Sequence, residues 1–249
     1  MKTNVKPTDY DHSLMQARAL CHAVHGEEGK FGLLYMMRCN QSRVVKAVEH
    51  SYGTFHQHEA TLASHAAAGW EPYMMVAVTS EAGHSCSVVK HSWAVAADFD
   101  SGLPELLESN ELISPSFVVT TSTGRCHALW ILDAVCTTEQ MQFLATVIQE
   151  RFDGDVAFAR MNQAVRLPGF LNHKTGEKVK LYDKHCSGKH HTYDTLCHAF
   201  DAPLVANLER MLNPRMNDRL TISKIHHTSA DMVEDAASAL PYLSHLASD

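Results

Sequence analysis

Two aspartates, Asp98 and Asp100, close the apolar run Trp93-Ala-Val-Ala-Ala-Asp98-Phe-Asp100. A strand alternates its side chains, so residues two apart share a face, and both carboxylates project together from the strand end. Two like charges held that close repel unless a cation sits between them. Hard divalent ions such as Mg²⁺ take oxygen ligands of this kind. A strand that simply ends in an acidic turn is the plainer reading, since Ser101-Gly102 follows at once. The residues downstream weigh against it.

The stretch Phe117-Val-Val-Thr-Thr-Ser-Thr-Gly-Arg-Cys-His127-Ala-Leu-Trp-Ile-Leu132 reads as strand, polar turn, strand. The turn, Thr121-Ser-Thr-Gly-Arg125, can aim backbone N–H groups and a guanidinium at phosphate oxygens. His127 leaves that turn at the same sheet edge; by itself it would read as the half-buried histidine of an ordinary hairpin. A third piece is Phe152-Asp-Gly-Asp155 followed by Arg166-Leu-Pro-Gly-Phe-Leu-Asn172-His-Lys174. Pro168-Gly169 forces a turn, and Asn172 and Lys174 offer an amide and a cation close by. Alone, this segment would pass for a surface turn with scattered charges.

Together the three segments resemble the archaeo-eukaryotic primase superfamily, in particular its plasmid and phage branch of RepB-like and primase-polymerase (PrimPol) proteins. That family's first motif is an Asp-x-Asp at a strand end, matched by Asp98 and Asp100. Its second is a histidine shortly after a turn of small residues, matched by Ser122-Thr-Gly124-Arg-Cys-His127, although Arg125 stands where the family often has a small residue. Its third is a further acid ahead of an Arg-Leu-Pro-Gly-x-x-Asn-x-Lys turn. Asp155, rather than Asp153, fits on spacing, with Arg166 to Lys174 as the turn. The segment Gly69 to Val78 is similar to the strand that precedes the first motif. The likeness covers about residues 10 to 185.

The resemblance implies a primase or primase-polymerase that makes primers on a single-stranded DNA template from nucleoside triphosphates during plasmid, phage or mobile-element replication. Asp98, Asp100 and Asp155 would be catalytic and hold Mg²⁺ or Mn²⁺. Ser122, Gly124, Arg125, His127, Arg166 and Lys174 would bind the nucleotide, with the cations also available to template. A replicative helicase, in cis or in trans, is the partner such a protein implies. The rival readings are a non-catalytic single-strand or origin-binding module, and a rolling-circle nickase using His56, His58 and a tyrosine such as Tyr52. A His-x-His pair needs a strand to put both rings on one face, whereas Thr54 to Ala67 reads as a helix.

Composition agrees with a globular chain. Its 249 residues are 45% hydrophobic, enough for one sizeable core or two small subdomains. No apolar run is long enough to span a membrane and no signal peptide is visible, so a cytoplasmic location is the default. Seven scattered cysteines favour reduced thiols. A net charge of −7 argues against tight nonspecific nucleic-acid binding unless a local basic surface exists; Lys174, Lys178, Lys180, Lys184 and Lys189 supply a candidate. Among eighteen histidines, Cys21-His22-Ala-Val-His25 and Cys186 to His191 have ligand-like spacings but lack the paired knuckles of structural zinc.

The elements that must position these residues follow from periodicity. Helices are expected over 13–24, 43–49, 59–68 and 103–108, and an amphipathic one over 138–152. Strands are expected over 31–37, 73–78 and 93–97, on both sides of the Ser122 turn, and last over 179–182. A polar loop should cover 80–85. Interleaved strands and helices point to an α/β (α+β) layered fold. By resemblance this is a primase domain over 1–200, with a smaller N-terminal α/β part to about 90 and an RNA-recognition-motif-like catalytic sheet from about 91. Residues 201–249 read as a helical segment, with helices over 204–211 and 232–246 around a polar stretch. The end carries no obvious cap, which fits a piece of a longer replication protein.

Overall fold

The computed structural model describes residues 9–38, 44–182 and 188–200. The helices expected at 204–211 and 232–246, and Lys184 and Cys186, lie outside the described residues.

Two antiparallel sheets form the frame. The first has the order β2 (Val45–Gly53), β1 (Phe31–Arg38), β3 (Trp70–Met75), β8 (Ala164–Arg166). The second has the order β11 (Lys180–Leu181), β6 (Phe117–Ser122), β7 (Arg125–Cys136), β5 (Val89–Phe99), β4 (Ala77–Thr79). Beside β7 at Ile131 and Leu132 runs the short parallel strand β12 (His190–His191). The chain crosses from the first sheet to the second at Val76, which is fully buried and whose N–H donates to the Gln163 carbonyl at 3.0 Å. The sheets interlock: the first takes its last strand from residues 164–166, and the second takes its first from 77–79.

Helices cover these sheets. The helices α1 (Asp9–His25) and α2 (Phe55–Ala67) pack on each other, α2 against β2 and β3 and α1 against β5; α4 (Thr138–Arg151) lies on β5, and α5 (Tyr193–Ala199) on β7. Between β5 and β6 lies the short helix α3 (Glu105–Ser109). Both α2 and α4 start with a reciprocal capping box, Thr54 with Gln57 and Thr137 with Gln140, which satisfies two otherwise orphaned N–H groups at each start. Covered on both faces, β5 needs no alternation: Ala94, Val95, Ala96 and Ala97 are all fully buried. That continuous burial is what the apolar run before Asp98 encodes. Among the described residues no helix is long and apolar enough to cross a membrane, and the cysteines are free thiols.

Three expectations need correction. The helix expected over 43–49 is the strand β2, paired with β1 over eight residue pairs from Phe31–Gly53 to Arg38–Val45. The strand lies at a sheet edge and is mostly exposed, so it carries no apolar alternation, and pairing with β1 overrides local propensity. Nor is β11 the last element, since β12 and α5 follow it. The strand expected over 73–78 is divided between the two sheets at Val76.

Trp130 on β7 is fully buried, donates its Nε1–H to the Ile113 carbonyl at 2.8 Å, and meets Phe200 edge to face. Trp130→Ala is expected to lower the unfolding free energy by about 3–5 kcal/mol, read from the urea midpoint at unchanged slope.

Candidate active site

Where the two sheets meet, a cavity of about 320 Å³ opens, lined among others by Asp98, Asp100, Ser122, Arg125, His127, Asp155, Arg166 and Lys174. Gly124 does not line it but shapes the turn beside it. With φ at +71° and nothing within 4 Å of where a Cβ would lie, Gly124 is required by backbone conformation and not by space. Three carboxylates and three cationic side chains thus face one opening.

The acids arrive by backbone geometry. Asp98, one residue before the end of β5, lies directly opposite His127 on β7. Its N–H donates to Gln149 Oε1 at 3.2 Å, and its carbonyl accepts from the Asp155 N–H at 2.9 Å. Strand end and third acid are therefore tied main chain to main chain. Gly154 permits this approach, because a Cβ there would sit 2.9 Å from the Asp98 carbonyl oxygen. Asp155 Oδ1 caps the short 3-10 helix Val156–Phe158 by accepting from the Ala157 N–H at 2.9 Å. Asp153 does not line the cavity and takes a positive φ of 54° in the turn. Burial, then the Asp100 and Asp155 charges, push the Asp98 carboxyl up to about 6, against the pull of Arg125 and Arg166.

His127 is 94% buried, given its relative exposure of 6%. The Arg166 backbone N–H donates to its Nδ1 at 3.3 Å, so Nδ1 is bare and the neutral ring carries its proton on Nε2. Nε2 lies 3.6 Å from Asp98 Oδ1, too far for a hydrogen bond. Burial, then Arg166, push the imidazole pKa down to about 3. His127 is accordingly a neutral N–H donor, with Phe158 stacked on its ring at 5.3 Å.

The cations differ in freedom. Arg125 pairs with Asp100 at 3.2 Å on the exposed rim. Arg166 lies over the Tyr73 ring at 4.8 Å and contacts the buried Glu71 Oε2 at 3.1 Å. The same oxygen accepts from Arg38 Nε at 2.8 Å and from the Tyr73 hydroxyl at 2.9 Å. Burial would raise the Glu71 carboxyl, but Arg166 and then the Arg38 and Tyr73 contacts hold its pKa below the ordinary value. Sequence reasoning missed Glu71, Tyr73 and Phe158. No spacing signals them, since each reaches the site only through strand pairing or a turn.

Among the described residues no three His, Cys, Asp or Glu side chains converge tightly enough to hold a metal ion. Asp100 is turned to Arg125 and Asp155 to its helix cap. The donors still suit a hard cation, since burial and then the Asp100 and Asp155 charges raise Asp98, and Mg²⁺ is commonly held by one or two carboxylates with water and substrate phosphates completing the shell. His56 and His58 lie on helix α2 and diverge: His56 is exposed and pairs with Glu59, while His58 is buried against the Phe31 carbonyl and Ser51. They form no shared site.

The sequence model of the RepB DNA-primase N-terminal domain matches residues 44–197. In structure the chain is similar to the AEP domain of the cyanophage S-2L primase-polymerase, with a TM-score of 0.60 and 14% identity over 75% of this chain and 97% of that one. It is also similar to the catalytic domain of primase RepB′ solved with initiator DNA, with a TM-score of 0.60 and 18% identity over 82% of this chain and 98% of that one. No curated protein matches in sequence.

Asp98 titrates near 6 in the fold against an ordinary value of 3.8. Its contribution to stability is thus fully present below about pH 4 and is lost as pH rises through about 6. In the metal-free protein, Asp98→Asn should raise the stability at pH 8 by up to about 3 kcal/mol, with wild type and variant converging near pH 4. Thermal midpoints taken with chelator at both pH values check this; a difference that does not change with pH would refute the raised pKa.

Proposed function

Since the chain belongs to the RepB DNA-primase N-terminal domain family and has the fold of the archaeo-eukaryotic primases, we propose that it is a nucleotidyltransferase that synthesises primers on single-stranded DNA in plasmid, phage or mobile-element replication. The observation that carries the reading is the meeting of Asp98, Asp100 and Asp155 with a proton-donating neutral His127 and three cationic side chains in one cavity.

The reaction joins a 3′-hydroxyl oxygen to the α-phosphorus of a nucleoside triphosphate and expels pyrophosphate. Asp98, Asp100 and Asp155 are the residues that would hold Mg²⁺ or Mn²⁺, which lowers the pKa of the hydroxyl and neutralises charge on the triphosphate. His127 offers its Nε2–H to a phosphate oxygen without carrying charge. Ser122, on the turn shaped by Gly124, adds a hydroxyl, and Arg125 a guanidinium that exchanges Asp100 for phosphate. Arg166, over the Tyr73 ring and anchored by Glu71, presents its remaining N–H groups from a held position, and a guanidinium fork suits phosphate better than a lysine would. Lys174 supplies a further cation. Positioning and electrostatics carry the rate, because the protein has little covalent work to do.

The separation of the three carboxylates also fits a second reading, a DNA- or origin-binding module on a scaffold that no longer catalyses. Incubation with single-stranded template, Mn²⁺ or Mg²⁺, and ribo- or deoxynucleotides offered separately distinguishes the two. Primer products support the enzyme; template binding without products supports the module.

Asp155→Asn keeps the helix cap, since an amide oxygen can accept from the Ala157 N–H, but removes the charge. It should cut primer synthesis at least about a hundredfold, as Asp98→Ala should. Asp153→Asn should be mild, because asparagine tolerates a positive φ. An inactive Asp153→Asn beside an active Asp155→Asn would reverse the assignment.

His127→Ala should raise the KM for nucleotide by about tenfold, the worth of one buried hydrogen bond, with template affinity unchanged. Loss of template affinity at normal nucleotide KM would move His127 out of the triphosphate site.

A further inference from the structure

The turn that carries Ser122 and Arg125 is built irregularly. The β6–β7 register shifts between Thr120 and Ser122. Neighbours on a regular strand face opposite ways, yet Thr121 and Ser122 both line the cavity. The bulge makes that possible by adding a residue to one strand, as bulges beside functional sites commonly do. The tip, Thr123 and Gly124, is exposed, and no atom lies within 4 Å of a Cβ built on Gly124. Apolar packing therefore does not hold the tip.

Hydrogen bonds from the next hairpin do. This hairpin is β9 (Leu171–Asn172) with β10 (Glu177–Lys178). Asn172 Nδ2 donates to the carbonyl of Thr121, the residue at the bulge, at 2.9 Å. The Thr123 N–H and hydroxyl both donate to Glu177 Oε2, at 2.8 and 2.7 Å. Asn172 Oδ1 also accepts from the Lys174 N–H at 3.1 Å, so the same side chain orders the loop that brings Lys174 to the cavity. Thr123 does not line the cavity. Nor does Glu177, so the carboxylate that takes the Thr123 N–H does not compete with an anion bound inside.

We propose that Glu177 is a positioning residue that braces the bulged turn, so that Ser122 and Arg125 keep their aim at the phosphates of the incoming nucleotide. The inference rests on the nucleotide-binding reading of the cavity. Its cause is mechanical: without the two bonds the tip samples other conformations, and binding must then order it.

The test separates the brace from the charge. Glu177→Gln removes the negative charge and keeps an amide oxygen for Thr123, whereas Glu177→Ala removes both. A fluorescent nucleoside triphosphate, in ribo and deoxyribo forms with Mn²⁺, is titrated into wild type and both variants, and KM, kcat and thermal midpoint are measured on the same samples. Glu177→Ala is expected to bind nucleotide about threefold to tenfold more weakly than Glu177→Gln, as loss of one or two exposed hydrogen bonds implies. The loss should fall on KM more than on kcat, with nearly equal thermal midpoints. Glu177→Gln should match wild type or bind slightly more tightly. Equal binding by the two variants overturns the brace while leaving the nucleotide site intact. Tighter binding by Glu177→Ala than by Glu177→Gln overturns it too and makes the side chain an obstacle. Wild type that binds neither nucleotide overturns the reading of the cavity, and the brace with it.

Discussion

Arg166 links both sheets at once, and the cavity it lines opens where they meet. Its strand, β8, pairs with β3 in the first sheet, while its backbone N–H reaches His127 in the second. Its guanidinium shares the buried Glu71 carboxylate with Arg38, which puts two positive charges against one negative charge inside the protein. Burying ions is costly unless each is paired and hydrogen-bonded. The arrangement is sustained by the placement of Arg166 over the Tyr73 ring, by the Tyr73 hydroxyl on the same carboxylate oxygen, and by the charge of the cavity aspartates. Through Arg166 the first sheet sets which nitrogen of His127 carries a proton, although it contributes none of the three cavity aspartates.

The acids impose the opposite problem. Asp98 is drawn into a partly buried place beside Asp100 and Asp155, and its raised pKa measures how unwelcome its charge is there. The fold holds that conflict because the surrounding main chain is satisfied, with the Asp98 N–H on Gln149 and its carbonyl on the Asp155 N–H. A positive charge brought to this place would relieve that local conflict.

Much of this was legible in the residues, and the reason differs from element to element. The strand before Asp98 could be read because burial on both faces leaves an unbroken apolar run. The hairpin around Ser122 could be read because turn chemistry is local, and α4 because its apolar stripe has helical spacing. The strand β2 was illegible, since it sits at an edge with most of its side chains in water and takes its identity from β1. Glu71 and Glu177 were illegible for another reason. Each is a lone acid that no motif marks, and each gains its role from a partner across strand pairings that no short-range pattern encodes. The cavity residues were found by type and order, while the orientation that makes His127 a neutral donor and sets Arg166 over Tyr73 needed the three-dimensional arrangement.

The bond from the Asp155 N–H to the Asp98 carbonyl has a consequence for how the sequence can change. A separation held by main-chain atoms does not depend on which side chains surround it, provided that position 154 stays without a Cβ. Substitutions can accumulate over β5 and α4 without moving apart the two backbone segments that carry these acids, so the geometry outlasts the sequence that first specified it. Recognisable function can then persist after most of the neighbouring residues have been exchanged, and in such a lineage a side chain gained at Gly154 would end it sooner than many changes elsewhere.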